Sequence, residues 1–297
     1  FTADTVTSIL KSTAFNPYLT FPLALLARFT RRGQELSHQH QKALKWLNVL
    51  IGLGLYKRLT RLLDEGVLNN WTNDVYNWKK ELVVVTGGSD GIGAIVVKLL
   101  AERGVRVAVV DIQPLTYEAV PNVTYFKADL ADPSSIESTC ETIKSHLGNP
   151  TILINNAGIA SSSPITETTA KTLELTFKVN TFSHYHLLRS FLPSMLAANH
   201  GMVVTVASLA AHVSAPQMAS YAGSKAAALA LHETLHAELA TTYTAPKVRT
   251  VLVCQGYTKT KLFQGFKEGD GFVDYALTPE TVAEEIVRAV LAGRSRV

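Results

Sequence analysis

Several residue types that define other protein classes are scarce in this chain of 297 residues. Two cysteines, Cys140 and Cys254, are too few for a disulfide framework or a cysteine-rich zinc site, which favours a reducing compartment. Charged residues make up 18% and hydrophobic residues 47%, which excludes an intrinsically disordered chain. The sequence has no internal repeat and no apolar run of the roughly 18–20 residues that predict a membrane-spanning helix. The length predicts one large α/β domain with an appendage.

The charge is unevenly distributed along the chain. Residues 1–80 carry eleven Lys and Arg against five Asp and Glu, whereas residues 81–297 carry seventeen against nineteen. A mildly acidic body does not favour nucleic-acid binding, and a basic front end suits contact with an anionic surface such as a membrane leaflet.

Beyond residue 80, short apolar runs alternate with longer helical patterns. The predicted strands are Leu82–Thr86, Val105–Asp111, Val123–Asp129, Thr151–Asn156, Met202–Ser208 and Val248–Cys254. The predicted helices are Gly91–Arg103, Pro133–His146, Ala170–Leu196, Ala222–Ala240 and Pro279–Leu291. Because these strands are continuously apolar, both faces of the sheet are expected to be covered. The pattern predicts a doubly wound, parallel, Rossmann-type sheet over residues 81–297.

Residues 1–80 form a predicted helical, partly hydrophobic extension. Pro17–Phe29 and Trp46–Tyr56 are mostly apolar, and Lys and Arg residues flank both. Eleven helical residues reach about 16 Å, roughly half of a bilayer core. One interpretation is an anchor in the membrane interface with its cations at the headgroups. The other is a helical pair that packs on the body or at a subunit contact.

The first predicted strand runs directly into a glycine-rich turn that opens a helix. Its residues are Thr86, Gly87, Gly88, Ser89, Asp90, Gly91, Ile92 and Gly93. Glycines there allow backbone N–H groups to approach a pyrophosphate at the helix N-terminus. The spacing therefore predicts a dinucleotide site.

Polar residues follow the next strands at their carboxyl ends, where ligands bind in such sheets. Asp111 ends the second strand, where a carboxylate can bind both adenosine ribose hydroxyls and repel a 2′-phosphate, so NAD is favoured over NADP. Asp129, followed by Leu130, is placed to meet the adenine amino group. Asn155, Asn156, Ala157 and Gly158 close the fourth strand.

Three further residues carry the candidate chemistry. Ser208 ends the fifth strand, and Tyr221 and Lys225 share one face of the following helix. A nearby ammonium can lower the pKa of a phenol, which is otherwise near 10 and too high for an efficient base at neutral pH. A lone Tyr-x-x-x-Lys is nevertheless common in ordinary amphipathic helices.

As a set, these residues resemble the short-chain dehydrogenase/reductase family over about residues 81–297. The resemblance implies that Tyr221 is the general acid/base, that Ser208 binds the substrate oxygen, and that Lys225 binds the nicotinamide ribose and depresses the Tyr221 pKa. It also implies that Asn180 holds a water of the proton relay, that the turn from Thr86 to Gly93 binds the cofactor, and that Asn155 stabilises its strand.

The chain departs from the family pattern in two places. After the sixth strand, Gly256 and Thr260 match the residues expected near the nicotinamide. Gln255 replaces the usual proline and Thr258 an apolar residue, so we expect a less rigid loop. The family's last strand would begin where the chain ends at Val297, so that strand is expected to be truncated.

The stretch from Asn69 to Glu81 is similar to the junction of membrane-associated retinol and 17β-hydroxysteroid dehydrogenase-type members. This resemblance implies a lipophilic alcohol or ketone as substrate, a homodimer, and a place on the endoplasmic reticulum membrane or a lipid droplet, with the cytoplasm as the alternative. The aromatic residues Phe263, Phe266, Phe272 and Tyr275 lie where a substrate lid is expected.

The sequence thus predicts an NAD-dependent oxidoreductase of lipophilic alcohols, with an NADPH-dependent ketone reductase as the alternative. A non-catalytic lipid-surface protein with the same fold is a third possibility. His232 and His236 satisfy the HExxH spacing of zinc peptidases, but no third ligand is evident and no metal is expected. His184 and His186 are read as ordinary polar positions.

Overall fold

Six parallel strands form one sheet in the order β3-β2-β1-β4-β5-β6 in a computed structural model of the protein, which describes residues 3–263 and 276–296. The strands are β1 (Leu82–Thr86), β2 (Arg106–Asp111), β3 (Val123–Lys127), β4 (Ile152–Asn155), β5 (Gly201–Val206) and β6 (Val248–Val253). The strand order reverses between β1 and β4, which is where such sheets bind ligands at their carboxyl ends. The predicted doubly wound parallel fold is confirmed.

Helices cover both faces of the sheet. The α-helices are α1 (Ala3–Ser12), α2 (Pro17–Phe29), α3 (Arg31–Gln39), α4 (Gln41–Leu68), α5 (Gly91–Glu102), α6 (Pro133–Leu147), α7 (Ala170–Phe177), α8 (Ser183–Ala198), α9 (Ala219–Thr241) and α10 (Pro279–Leu291). Val83 and Val85 face a core shared with α5 and α10, whereas Leu82 and Val84 face a core shared with α6, α8 and α9. Successive side chains of a strand point to opposite faces, so each β1 residue is buried on one side or the other.

The helix predicted over Ala170–Leu196 is present, but a π-helical turn at Lys178–Phe182 interrupts its α-helical bonding and separates α7 from α8. Asn180 lies within this turn and bonds to the backbone of Ile159 on the neighbouring loop. A π-turn inserts one residue into the helix and re-aims the side chains around it. The tertiary contacts of Asn180 account for the break, which helical periodicity cannot reveal.

Contacts divide the chain into two compact units, one ending at Val67 and the other beginning at Leu68. Residues 68–80, which the sequence assigns to the extension, therefore group with the sheet. The buried Arg249 guanidinium donates to the carbonyls of Asn69 and Thr72, at 3.0 and 2.7 Å. The Tyr76 hydroxyl donates to the Gly201 carbonyl at 2.7 Å. These bonds hold the segment to the sheet's amino-terminal side.

The last described residues of the chain pair with the edge of the sheet. Arg296 forms a parallel bridge with Val251, and backbone bonds join Arg296 to Thr250 and Leu252. This pairing lies beside β6, where the sequence expects the start of a further strand.

The unit that ends at Val67 is helical, as predicted. Its second helix has the predicted bounds Pro17–Phe29, while the apolar stretch Trp46–Tyr56 lies inside the longer α4. Thr20 and Ala24 of α2 and Ile51 and Gly54 of α4 are buried. Among the described residues, no helix has the length and apolar character needed to cross a membrane.

Candidate active site

The glycine-rich turn between β1 and α5 adopts backbone conformations that favour glycine. Gly87 has a φ of +63°, and a Cβ there would lie 2.8 Å from the Ala157 Cα. Gly91 has a φ of +58°, and a Cβ there would meet no atom within 4 Å. The turn is therefore packed against the end of β4 on one side and open on the other. An open, glycine-lined approach to the N-terminus of a helix fits a pyrophosphate.

Thr86 and Asn156 join the ends of the two central strands. The Thr86 hydroxyl accepts bonds from the backbone N–H groups of Asn156 and Ala157, at 3.0 and 3.1 Å. The Asn156 amide donates to the carbonyls of Thr86 and Gly87, at 3.0 and 3.1 Å. These predicted cofactor residues thus fix the shape of the turn. A Cβ at Gly93 would collide with the Gly87 carbonyl, so α5 begins tightly against the turn.

Asp111 lies at the end of β2 beside this turn, as predicted. Its carboxylate oxygens accept bonds from the backbone N–H groups of Ser89 and Gln113, at 3.0 and 3.1 Å. An ionised carboxylate has about four acceptor positions, so these two bonds orient the group and leave acceptors for a ligand.

Residues 113–117, called the strap below, are bonded to the glycine-rich turn, and the sequence does not predict this contact. The Thr116 and Tyr117 hydroxyls donate to the carbonyls of Ser89 and Gly88, at 2.6 and 2.9 Å. The Ser89 hydroxyl donates to the Gln113 carbonyl at 2.9 Å. The adjacent hydroxyl residues Thr116 and Tyr117 are the sequence signal of the strap, and such a pair is common in ordinary polar loops.

Asp90 caps the N-terminus of α5 and also pairs with a distant lysine. Its carboxylate accepts from the Gly91 N–H at 2.8 Å and meets the Lys261 ammonium at 2.6 Å. The hydrogen bond from Lys261 holds the pKa of Asp90 below its usual value. Lys261 thus lies beside the turn, a position that sequence spacing does not reveal.

The two predicted residues after β3 have different environments. Asp129 is exposed and accepts from the Ala131 N–H at 2.8 Å, whereas Leu130 is buried in the core. β3 ends at Lys127, two residues before its predicted end, so Asp129 lies on the loop beyond the strand.

Tyr221 is buried near the start of α9, and the side chain of Ser208 acts on the pKa of its hydroxyl. Ser208 follows β5 and also accepts from the Ala210 N–H at 3.1 Å, which fixes its side chain. Burial raises the pKa of Tyr221, and the Ser208 side chain opposes that rise. The structure thus brings the predicted serine and tyrosine together at the carboxyl end of β5.

Lys225 lies one helical turn after Tyr221, with its Nζ 5.9 Å from the centroid of the Tyr221 ring. The ammonium donates to the Val206 carbonyl at 2.7 Å, and burial lowers the pKa of Lys225 to about 8. The depression of the Tyr221 pKa by Lys225 that the family resemblance implies is not found, because burial dominates at the phenol and the ammonium bonds to the backbone.

Asn180 connects the π-turn to the loop after β4 and to α9. Its amide accepts from the Ile159 N–H at 2.8 Å and donates to the Ile159 carbonyl at 2.9 Å. It also donates to the Ser224 hydroxyl at 2.9 Å. A Cβ on Gly158 would lie 3.4 Å from both the Asn180 Oδ1 and the Lys225 Nζ. Asn180 and Lys225 therefore approach the same glycine.

Asn155, which the family resemblance treats as a strand stabiliser, is buried at the end of β4. Neither polar atom of its amide has a partner among the described residues. Its side chain therefore does not supply the stabilising bonds that the resemblance implies, and its neighbour Asn156 makes them instead.

The loop after β6, which we expect to be less rigid than its counterpart with proline, is bonded at several points. The Gln255 carbonyl accepts from the Leu209 N–H at 2.9 Å. Thr258 forms a parallel bridge with Leu277, and its buried hydroxyl donates to the Gly256 carbonyl at 3.1 Å. The N–H of Thr260 donates to the Thr258 carbonyl at 2.8 Å. Backbone bonds thus connect the loop both to the end of β5 and to Leu277.

An aromatic side chain of this region packs on the candidate catalytic tyrosine. The Phe263 ring meets the Tyr221 ring edge-on, with 5.6 Å between centroids, and lies 5.9 Å from the Tyr257 ring. Phe263 therefore forms an apolar wall at the tyrosine. The other expected lid aromatics, Phe266, Phe272 and Tyr275, lie outside the described residues.

The histidines of the HExxH pattern bond to the sheet. The Nδ1 atoms of His232 and His236 lie 2.9 and 2.8 Å from the hydroxyls of Thr205 and Thr250. Across residues 3–263 and 276–296, no group of three or more His, Cys, Asp or Glu side chains is arranged to hold a metal ion. The spacing of these histidines is explained by contacts between helix and sheet.

His184 is fully buried rather than an ordinary polar position. Neither ring nitrogen has a partner among the described residues, and burial, with Lys225 and His232 nearby, lowers its pKa to about 3. The ring is thus neutral at physiological pH. No sequence signal separates this histidine from the partly exposed His186 two residues later.

Comparisons with known proteins identify the family of this chain. A family model described as short chain dehydrogenase matches residues 81–271. The chain belongs to the short-chain dehydrogenase family. It is 39% identical over 207 residues to Dehydrogenase RED2 of Cochliobolus heterostrophus, covering 69% of this chain and 78% of that protein.

Within the family, the chain is similar to the 17β-hydroxysteroid dehydrogenase-type branch. It is 32% identical to human Estradiol 17-beta-dehydrogenase 11, over 73% of this chain and 74% of that protein. It is 31% identical to bovine Short-chain dehydrogenase/reductase family 16C member 6, over 71% and 69% of the two chains. The chain is therefore an oxidoreductase with a fold that binds a nicotinamide cofactor.

Solved structures agree on the fold. A 4-hydroxyisoleucine dehydrogenase complexed with NADH superposes with a TM-score of 0.65 at 20% identity, covering 72% of this chain and 93% of that one. A short-chain dehydrogenase from Streptomyces avermitilis gives 0.59 at 22% identity, covering 71% and 83%.

Proposed function

We propose that the protein is an NAD-dependent oxidoreductase that interconverts a lipophilic secondary or allylic alcohol and its carbonyl compound. The observation that carries this proposal is the burial of Tyr221 and Ser208 at the carboxyl end of β5, with the Lys225 ammonium 5.9 Å from the centroid of the Tyr221 ring. The bound nicotinamide would supply or accept the hydride. The glycine turn from Thr86 to Gly93 fits such a cofactor because it is open at Gly91.

The side chains of the site are proposed to transfer the proton and to orient the substrate and the cofactor. The Tyr221 hydroxyl donates a proton to the substrate oxygen in one direction, and its phenolate accepts that proton in the other. Ser208 orients the same oxygen by a second hydrogen bond. Lys225 is mainly protonated at neutral pH, since its pKa is about 8, and its ammonium would donate hydrogen bonds to the ribose of the bound nicotinamide. Asn180 positions Ile159 and Ser224 around this group.

NAD is the preferred cofactor in this proposal because two carboxylates border the adenosine side. Asp111 is oriented by Ser89 and Gln113 and retains free acceptor positions for ribose hydroxyls. A 2′-phosphate would meet the charge of Asp111, and Asp90 lies in the same turn. The Lys261 ammonium is paired with the Asp90 carboxylate at 2.6 Å. Its charge is therefore already balanced and would attract a 2′-phosphate only weakly.

The substrate is proposed to be lipophilic because apolar groups surround the catalytic tyrosine. Phe263 packs against Tyr221, and Tyr257 packs against Phe263. Leu209, which directly follows Ser208, is 47% exposed, and Val213 is 69% exposed. Exposed apolar side chains next to a catalytic group favour an apolar ligand.

The unit that ends at Val67 is proposed to contact a lipid surface, on the endoplasmic reticulum membrane or a lipid droplet. Large apolar side chains of α2 and α4 are exposed, among them Phe29 at 78% and Trp46 at 68%. Arg28 lies in the last turn of α2, and Lys and Arg residues lie along α4, which suits a position in the interface rather than across a bilayer. We further propose a homodimer.

The direct test is a screen for NAD reduction over lipophilic alcohols, with NADP measured in parallel. We expect turnover with NAD and a much smaller kcat/KM with NADP. Preference for NADP would favour the alternative ketone reductase. Failure to bind either cofactor would favour a lipid-surface protein that has the fold without the turnover.

A further inference from the structure

The unit that ends at Val67 contains a cavity of about 350 Å³ between the end of α1, the start of α2 and the middle of α4. Gly54 of α4 forms its floor, since a Cβ there would lie 2.7 Å from the Phe15 carbonyl and 3.1 Å from the Pro17 Cγ. This close approach of the helix to the turn at 15–17 leaves the cavity beside it. Its volume lies within the range of ligand sites.

Four cationic side chains converge on this cavity. They are Lys11, Lys57, Arg58 and Arg61. Lys57 and Arg61 are one turn apart on α4, and Arg58 lies between them with its Cζ 4.5 Å above the Tyr18 ring. The stacking on Tyr18 holds the Arg58 guanidinium at the cavity in a fixed plane.

Acidic residues do not line this cavity in the described part of the chain, although Asp64 and Glu65 lie within one turn of Arg61 on α4. None of the four forms an ion pair with a carboxylate within the part of the chain that the structure describes. Like charges that share one cavity repel each other, so an anion that enters it gains the attraction of all four.

The remaining lining is apolar on one side. Phe15, Pro17 and Leu62 contribute that surface, and Leu62 is 57% exposed. A ligand with a compact, doubly charged head and an apolar part matches both halves of the cavity. Arginine binds phosphate through two parallel hydrogen bonds, which favours a phosphate over a carboxylate.

We infer that this cavity binds the phosphomonoester headgroup of an anionic lipid. The inference rests on the proposed contact of this unit with a lipid surface and adds to it a specific headgroup site. Exposed apolar residues would hold the unit in the interface, and the cavity would select membranes or droplets that display phosphomonoesters.

The test is vesicle flotation of the full 297-residue chain. Vesicles of phosphatidylcholine alone measure the general surface contact, and vesicles that also contain phosphatidic acid measure the headgroup site. Vesicles with phosphatidylserine at the same surface charge measure charge alone. We expect binding to increase in the order phosphatidylcholine, phosphatidylserine, phosphatidic acid.

Matched variants separate the cavity from general charge. Arg58→Gln with Arg61→Gln removes two cavity cations, and Arg31→Gln with Lys42→Gln removes two exposed cations outside the cavity lining. Loss of two cations near an anionic surface weakens binding by up to about thirtyfold, and the first pair should lose about tenfold more affinity for phosphatidic acid vesicles than the second. Equal losses in the two pairs would overturn the inference.

Competition by a soluble phosphomonoester tests the headgroup site separately from the proposed contact with a lipid surface. Glycerol 3-phosphate should compete with phosphatidic acid vesicles for the wild-type protein and leave binding to phosphatidylcholine vesicles unchanged. If it raises the Tm of the wild type while no vesicle binds, the cavity serves a free phosphate compound and both lipid proposals fail. If vesicles bind without headgroup preference, only the headgroup site fails.

Discussion

The ring of Phe263 meets the ring of Tyr221 edge-on, at 5.6 Å between centroids and 89° between planes. This contact joins the loop after β6 to the candidate catalytic group on α9. Phe263 therefore offers an apolar surface to a substrate that binds beside the Tyr221 ring. The contact between Phe263 and Tyr221 thus connects the proposed proton transfer with the proposed lipophilic substrate.

Phe263→Ala should lower kcat/KM for lipophilic alcohols by about tenfold, mainly through a higher KM, because an apolar wall and an aromatic pair are lost. Steady-state kinetics on a series of alcohols of increasing chain length measures the effect, which should grow with chain length. Leu262→Ala, at the partly exposed neighbouring position, is the control and should change KM little. An equal effect on the shortest alcohol would argue against an apolar substrate wall.

Asp111→Ser should raise the KM for NAD by roughly 10–100-fold, since hydrogen bonds to a charged group contribute about 1.5–3 kcal/mol. The KM for NADP should change much less, because the variant also removes repulsion of the 2′-phosphate. Asp132→Asn is the control, because Asp132 caps α6 and touches Ser134. A variant that keeps the wild-type ratio of NAD to NADP efficiency would refute the role of Asp111.

Lys225→Met should abolish turnover and yet stabilise the protein by about 2 kcal/mol at pH 7. The lowered pKa means that the folded protein disfavours the charged lysine by about 3 kcal/mol, and the lost bond to the Val206 carbonyl offsets about 1 kcal/mol. Chemical denaturation measures the difference. Lys178→Met, at an exposed pair with Glu174, should change stability by about 0.5 kcal/mol or less.

The same lysine gives a pH signature. Between its folded pKa of about 8 and its unfolded pKa near 10.5, the unfolded chain binds more protons than the folded one. The contribution of Lys225 to the free energy of unfolding therefore rises with pH across that window. The stability advantage of Lys225→Met should shrink from pH 8 to 10.5, and a constant advantage would contradict the burial argument.

His184 should make the protein sensitive to acid. Its folded pKa of about 3 lies below the unfolded value near 6.5, so stability is lost as the pH falls below 6.5. Between pH 7 and pH 5 this residue should cost about 2 kcal/mol of the free energy of unfolding. His184→Asn should remove that loss, and His186→Asn should retain it. Identical pH profiles for the two variants would rule out the buried neutral ring.

The sequence predicts the sheet because its strands are mostly apolar runs that alternate with longer helical patterns. It also predicts Tyr221, Ser208 and Asp111, because each stands at a strand end or helix start that the pattern locates. The domain boundary is different: composition changes near residue 80, but Arg249 and Tyr76 bond residues 69–76 to the body. Such partners are more than a hundred residues away and leave no local signal.

The environment of the site could not be predicted for a similar reason. The pKa of Tyr221 depends on how far it is buried, and Lys225 bonds to a carbonyl on β5 rather than to the phenol. The π-turn at Asn180 depends on Ile159, and the Asp90 pair depends on Lys261, 171 positions later. Residue types and order predict the chemistry, but three-dimensional contacts set its electrostatics.

The central claim is that Tyr221 transfers the proton while other residues bind the cofactor. The most direct measurement compares wild type and Tyr221→Phe in NAD reduction with a lipophilic alcohol, together with NADH binding by fluorescence. We expect kcat to fall by at least about 10²-fold, as for loss of a general acid/base, with the Kd for NADH within about threefold of wild type. Substantial turnover by the phenylalanine variant would contradict the account.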